Sequence, residues 1–369
     1  MNNVININFI RTWYQHLEKL INDQLDDGVF PGVEILFAVK GEVCLHQAWG
    51  TLEIGKGASS LNADTVFDIA SLTKPIVTAT AVLMLQERGI LDLEDKVAEF
   101  ITEFDTEEKC QISIKQLLTH TSGLPAWVDL YGGAANKAEA WKQLMEISLE
   151  YHTGSQMVYS CLGFIILGEI IRRLTKQSLA QFAKTNIFDP LQLESTCFSA
   201  HKNLKGEVIA PTQYCPLRKL LLRGVVHDEN SYVFDEEGGN AGLFSKASEI
   251  FRYCEMIIHG GKFEETRILA AKTVENMIKN HNRPGLPPRG LGWDMKGEGF
   301  GYMSCGDLFP FGGIGHTGFT GTSLWLDVPS QVVVIILSNR VHISREKKIK
   351  EMQSFRPRLH NILLSSLEP

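Results

Sequence analysis

The sequence lacks the features that most quickly betray a function. No basic block stands out, and a net charge of −7 over 369 residues argues against a nucleic-acid partner. The mixed run Arg345-Glu346-Lys347-Lys348-Ile349-Lys350 reads as the solvated face of a terminal helix. No apolar run approaches a membrane span, so no transmembrane segment is expected. The first ten residues have no basic n-region, no continuous apolar core and no small-residue cleavage site, so no signal peptide is expected. The seven cysteines (44, 110, 161, 197, 215, 254 and 305) are odd in number and show no paired spacing. That argues against a disulfide framework or zinc ribbon and fits a reducing compartment, by default the cytoplasm. His227, Asp228 and His342 could in principle gather round a metal, but HExxH and CxxC spacings are missing and none is expected. There is no internal repeat.

What is present begins with Phe67-Asp68-Ile69-Ala70-Ser71-Leu72-Thr73-Lys74-Pro75 and the alanine- and leucine-rich run that follows. The run predicts a helix. Pro75 is tolerated only in its first turn, so the helix should begin near Ser71. Lys74 then lies one turn on, on the same face. A serine hydroxyl needs a neighbour to take its proton. A partly desolvated lysine at the positive end of a helix has its ammonium form disfavoured and can serve. The Ser71 N–H at the helix start is also a ready oxyanion donor. Taken alone, the pair is a weak motif and reads first as an N-cap and a solvated first-turn lysine.

Strands are expected at both ends of the chain, helices between. Residues 9–28 read as an amphipathic helix, 33–39 and 42–49 as a hairpin turning at Lys40-Gly41, and 332–338 as a buried strand. Helices are expected near 76–89, 93–103, 113–119, 136–150, 161–175, 178–186, 246–259 and 270–279, and a last one over about 345–365. The simplest arrangement is one α/β (α+β) domain over 1–369. Its central sheet is built from both termini and flanked by the terminal helices. The α/β lobe takes about 1–70 and 290–369, and an inserted all-helical lobe about 71–289. Ser71 then falls where the lobes meet, a common place for a cleft.

Three further segments could carry chemistry. Tyr159-Ser160-Cys161 precedes an apolar helix, where a tyrosine can hydrogen-bond a nucleophile or shuttle a proton, or simply be buried. His316-Thr317-Gly318 lies where a glycine-rich loop enters a strand. There His316 could help bind a carboxylate or relay a proton, and the Phe319 N–H could be the second oxyanion donor. His120, in Leu117–Pro125, reads as a hydrogen bonder that fixes its loop.

The order and spacing of Ser71-Leu72-Thr73-Lys74, Tyr159-Ser160-Cys161 and His316-Thr317-Gly318 resemble the three-motif signature of the serine β-lactamase and penicillin-binding superfamily. The branch of class C β-lactamases, D,D-carboxypeptidases and β-lactamase-like esterases is most similar. Within it, His227–Asn230, the Gly-Phe-Thr-Gly-Thr-Ser run and Asn339–His342 resemble penicillin-binding-protein-4B-like hydrolases. The resemblance covers about residues 15–345. It implies a central antiparallel sheet plus a helical lobe, with no cofactor. It also implies an acyl-enzyme at Ser71, with Lys74 and Tyr159 managing the proton and the Ser71 and Phe319 N–H groups holding the oxyanion. The substrate would be a small molecule or short peptide: an ester or a D-amino-acid-type amide, or alternatively a β-lactam. A non-catalytic penicillin- or peptide-binding sensor is the remaining option. Two positions depart from the pattern. Cys161 stands where β-lactamases usually carry an asparagine that contacts the substrate's amide side chain, which counts against efficient β-lactam hydrolysis. His316 replaces the usual lysine, making the carboxylate-recognising charge pH-dependent.

Overall fold

The computed structural model describes residues 7–301 and 303–367, with side chains from residue 12 onward; residues 1–6 lie outside it. Strands β1 (Gly32–Val39) and β2 (Glu42–Gly50) open the main sheet, joined at Lys40 and Gly41, both with positive φ as a tight hairpin turn requires. Strands β3 (Phe67–Asp68), β4 (Cys197–Phe198) and β5 (Leu243–Ser245) form a small second sheet. The chain then returns to the main sheet with β6 (Asp294–Met295), β7 (Ile314–Thr317), β8 (Ser323–Asp327) and β9 (Val332–Ser338). The main sheet runs β6-β7-β8-β9-β1-β2, antiparallel throughout, so the two termini meet at its centre. In the β1–β9 pair Val33 faces Ser338 and Val39 faces Val332.

Both faces of this sheet are covered, which is why β9 is apolar without alternation. Val334 and Ile336 of β9, with Ile35 and Phe37 of β1, pack under the terminal helices α1 (Ile7–Asp26) and α7 (Ile349–Ser365). Val333, Ile335 and Leu337, with Leu36 and Ala38, face the other way into the core shared with the helical lobe. The terminal helices are tied to each other as well: the Trp13 indole N–H donates to the Ile362 carbonyl (2.6 Å). Phe355, from α7, meets Phe30 edge-on at 5.2 Å. Truncating it to alanine would cost about 3–5 kcal/mol.

Between the strands lie α2 (Thr80–Glu87), α3 (Ile114–Leu118), α4 (Lys137–Glu146), α5 (Cys161–Thr175) and α6 (Ala247–Ile258), among further short helices and turns. Three expected helices come out shorter, the one expected over 136–150 ending at Glu146. The segment expected as helical over 93–103 holds only Val97–Phe100 and a 3-10 turn. The Asp92 and Asp95 carboxylates there bond the backbone N–H groups of Glu94 and Asp92, a local alternative to helix. The last helix starts at Ile349 rather than 345, because Lys348 is left-handed (φ +62°). No helix among the described residues is long and apolar enough to cross a membrane.

Candidate active site

The Ser71 segment is built from three kinds of turn. A 3-10 turn spans Ala70–Leu72, a π-helical turn spans Lys74–Ala79, and α2 continues from Thr80. Pro75 sits at the start of the π turn, where its missing N–H does least harm. Its carbonyl is taken up by the hydroxyls of Thr80 (3.0 Å) and Tyr253 (3.1 Å). π turns are rare and concentrate at functional sites. This one is buried along its whole length and aims Lys74 back at Ser71.

Lys74 Nζ donates to Ser71 Oγ (3.0 Å), to the Asn240 carbonyl (2.8 Å) and to Cys161 Sγ (3.6 Å). Three acceptors match the three protons of an ammonium. Burial acts to lower the Lys74 pKa, but Cys161 and Tyr159 beside it outweigh burial and the pKa stands above the ordinary lysine value. The expected weakening of the ammonium form is therefore reversed. Burial alone would produce it, but the acceptors around Nζ were not legible in the spacing.

Tyr159 enters from the other wall. The Ser160 N–H donates to His120 Nδ1 (3.1 Å) and the Val158 N–H to the His120 carbonyl (3.0 Å), which brackets Tyr159. His120 itself is left-handed (φ +59°) and buried. Because its Nδ1 accepts, its proton is on Nε2. Tyr159 packs against the His120 ring (4.6 Å between centroids) and the His316 ring (5.6 Å), with Lys74 Nζ 4.9 Å from its own centroid. Burial raises the phenol's pKa, and the nearby Lys74 and Ser71 pull the other way without reversing it. Its hydroxyl has no well-formed hydrogen bond among the described residues.

The third motif lies on β7. His316 Nδ1–H donates to the Thr317 carbonyl (2.9 Å), so Nε2 is a bare acceptor, and it has no partner among the described residues. Burial, then the Lys74 and Arg289 cations, hold its pKa well below the ordinary histidine value. The expected pH-dependent charge for a carboxylate is thus corrected: His316 is neutral across the physiological range. Gly318 is dictated by close approach. A Cβ there would lie 2.0 Å from Thr322 Oγ1 and 2.7 Å from the Ile69 carbonyl. This packs the motif strand against the backbone just before Ser71. Neither the Ser71 nor the Phe319 N–H finds an acceptor among the described residues. Ser71, Tyr159, Cys161, His316, Thr317, Gly318 and Phe319 all line one cleft of about 660 Å³, with Lys74 buried beneath.

A family model described as Beta-lactamase matches residues 17–354. The chain belongs to the Beta-lactamase family. An Escherichia coli O157:H7 protein named "Putative D-alanyl-D-alanine carboxypeptidase" is 28% identical, over 88% of this chain and 82% of its own length. A class C β-lactamase structure superposes with a TM-score of 0.74 at 17% identity, over 99% of this chain and 98% of that one. The D-amino acid amidase of Ochrobactrum anthropi SV3 does so with a TM-score of 0.71 at 19% identity, over 97% and 100%. The fold is that of the serine β-lactamases and penicillin-binding proteins, and this Beta-lactamase family member is a serine hydrolase of that superfamily.

Two parts of the site escaped sequence reasoning. Asn240 supplies a backbone carbonyl to Lys74 while its side-chain N–H donates to Asp228 Oδ1 (3.2 Å). Arg289 carried no signal at all, in a loop of prolines and glycines. It is buried, its guanidinium carbon 5.8 Å from the Tyr159 ring centroid. Its Nε lies 3.9 Å from Asp294 Oδ1, too far to hydrogen-bond, and has no acceptor among the described residues. No group of three potential metal ligands occurs among the described residues, and His342 Nδ1 donates to the Thr212 carbonyl (2.7 Å).

Proposed function

We propose that the protein is a D,D-carboxypeptidase-like serine hydrolase that cleaves a D-amino-acid-type amide or ester through an acyl-enzyme at Ser71. One observation carries the choice of substrate: the buried, incompletely paired Arg289 beside Tyr159 and the His316 strand. With His316 neutral, Arg289 is a fixed cation against the tyrosine wall of the cleft. A guanidinium there suits a free carboxylate on the leaving group. The naming of the curated relatives points the same way.

In this reading the Lys74–Tyr159 pair first gives up one proton to solvent; Ser71 Oγ then attacks the acyl carbonyl and its own proton fills the vacated place. The Ser71 and Phe319 N–H groups receive the oxyanion. The pair returns one proton to the leaving amine as the C–N bond breaks, and water then releases the acyl group from Ser71. Lys74 and Tyr159 share protons as one coupled set, so neither is singled out as the base. Cys161 supports the choice against antibiotic hydrolysis. Its sulfur is turned to Lys74, and a thiol is a poor substitute for a side-chain amide. The seven cysteines, all unpaired, fit the cytoplasm, which cell fractionation would test.

The test is intact-protein mass spectrometry of wild type and Ser71→Ala after exposure to a fluorophosphonate and to a penicillin, followed by turnover of acyl-D-Ala-D-Ala. Ser71-dependent adducts with both probes and release of D-Ala support the reading. Turnover of nitrocefin without D-Ala release would replace it with a β-lactamase. No adduct with either probe would replace it with a binding protein.

A further inference from the structure

Asp68 lies three residues before Ser71, at the end of β3, and is 2% exposed. Its two carboxylate oxygens serve two different walls of the cleft. Oδ1 accepts the Ala70 N–H (2.8 Å), and Oδ2 accepts the His227 N–H (2.7 Å). Its own carbonyl accepts the Thr320 hydroxyl (2.8 Å), one residue past Phe319. Ala70 needs such support: it is left-handed (φ +49°), a conformation that a residue with a Cβ adopts only under constraint. The His227 segment is held from the outside by Arg218, which donates to the carbonyls of Val226 (2.5 Å) and His227 (3.3 Å). The His227 ring stacks on Phe319 at 5.7 Å.

We infer that Asp68 is a positioning residue that sets Ser71 in register with the His227–Phe319 wall, using both carboxylate oxygens as acceptors. The inference rests on the hydrolase reading above. A carboxylate is the group this requires. An amide offers one acceptor and one donor, so one of the two backbone N–H groups would face another N–H. The same loss follows protonation. Burial pushes the Asp68 pKa up to about 7 against its two N–H bonds, with Asp228 raising it further and Arg218 lowering it. The His227 ring does not compete as a titrating neighbour, since burial and the Arg345, Arg218 and Arg340 cations hold it at about 3. Below about pH 7 one oxygen becomes a donor and the clamp loosens; above it the clamp is complete.

The test is the rate of fluorophosphonate labelling of Ser71 between pH 5.5 and 9, for wild type, Asp68→Asn and the double variant Asp68→Asn/Ala70→Gly. Wild-type labelling should fall on the acid side of about pH 7. Asp68→Asn should label about tenfold to a hundredfold more slowly at pH 8, with no acid limb near 7. Ala70→Gly accepts the left-handed backbone freely and should restore part of the rate. A folded Asp68→Asn protein that labels at the wild-type rate across the range overturns the inference, as does a slow one that keeps the wild-type acid limb. Hydrogen exchange of the peptides containing Ala70 and His227 provides a readout that does not depend on acylation. Faster exchange of both in Asp68→Asn supports the clamp, and unchanged exchange overturns it. A wild type that takes no label at Ser71 overturns the hydrolase reading instead, and the exchange result still decides the role of Asp68.

Discussion

The two sides of the cleft differ in how far their polar groups are satisfied. On the nucleophile side every proton of Lys74 has an acceptor, and Thr73 and Thr78 are tied to the Ala70 and Gly239 carbonyls (both 2.6 Å). On the tyrosine side four buried atoms lack a well-formed hydrogen bond among the described residues: Tyr159 Oη, His316 Nε2, His120 Nε2 and Arg289 Nε. Leaving such groups unpaired is costly in a folded protein. The Ser71–Lys74 contacts are therefore complete, with Asn240 Oδ1 as an unpaired buried atom beside them, while four such atoms gather on the tyrosine side, where the proposed reading brings the leaving group. Preorganisation on one side and unspent capacity on the other is the division that acyl transfer asks for.

Breaking the satisfied side should have the largest effect. Ser71→Ala is expected to lower kcat by at least about 10⁴-fold with the fold intact, measured by turnover alongside circular dichroism. On the unsatisfied side, Tyr159→Phe removes only the phenolic proton path. It should cost about 10²- to 10³-fold in kcat with little change in KM. An equal loss in kcat and gain in KM would mean that the hydroxyl binds rather than transfers. Arg289→Ala sharpens the contrast between the sides. KM for a substrate ending in a free carboxylate should rise about tenfold or more, while the matching C-terminal amide is unaffected. Smaller still is the pair at His120. Asn tolerates the left-handed backbone and offers an oxygen to the Ser160 N–H, so His120→Asn should stay within about threefold of wild type. His120→Ala should lose up to about tenfold. Equal losses in the two variants would show that the ring, not the backbone bond, is what matters.

Much of this was legible in the sequence because it rests on local spacing. Ser71 and Lys74 come together because they are one helical turn apart and Pro75 fixes where that turn begins. The covered sheet was legible in the unalternating Val332–Ser338 and in the hairpin turn at Lys40-Gly41. Charge states were not, because they depend on neighbours from remote segments. The Asn240 carbonyl helps hold Lys74 as an ammonium, and Lys74 with Arg289 helps keep His316 neutral. Arg289 and Asp68 escaped notice for the same reason. An arginine in a proline- and glycine-rich loop and an aspartate on a short strand are ordinary, until tertiary structure buries them in the walls of the cleft.

The central pairing of β1 with β9 sets a schedule for making the protein. Residues 32–39 cannot find their inner partner, residues 332–338, until about 290 further residues have been synthesised. At typical elongation rates that is a wait of about tens of seconds. During it an apolar strand has only β2 on one edge and an open ladder on the other. Loss of the last forty residues would extend that wait indefinitely. Truncation should therefore yield an aggregating chain, not a smaller enzyme.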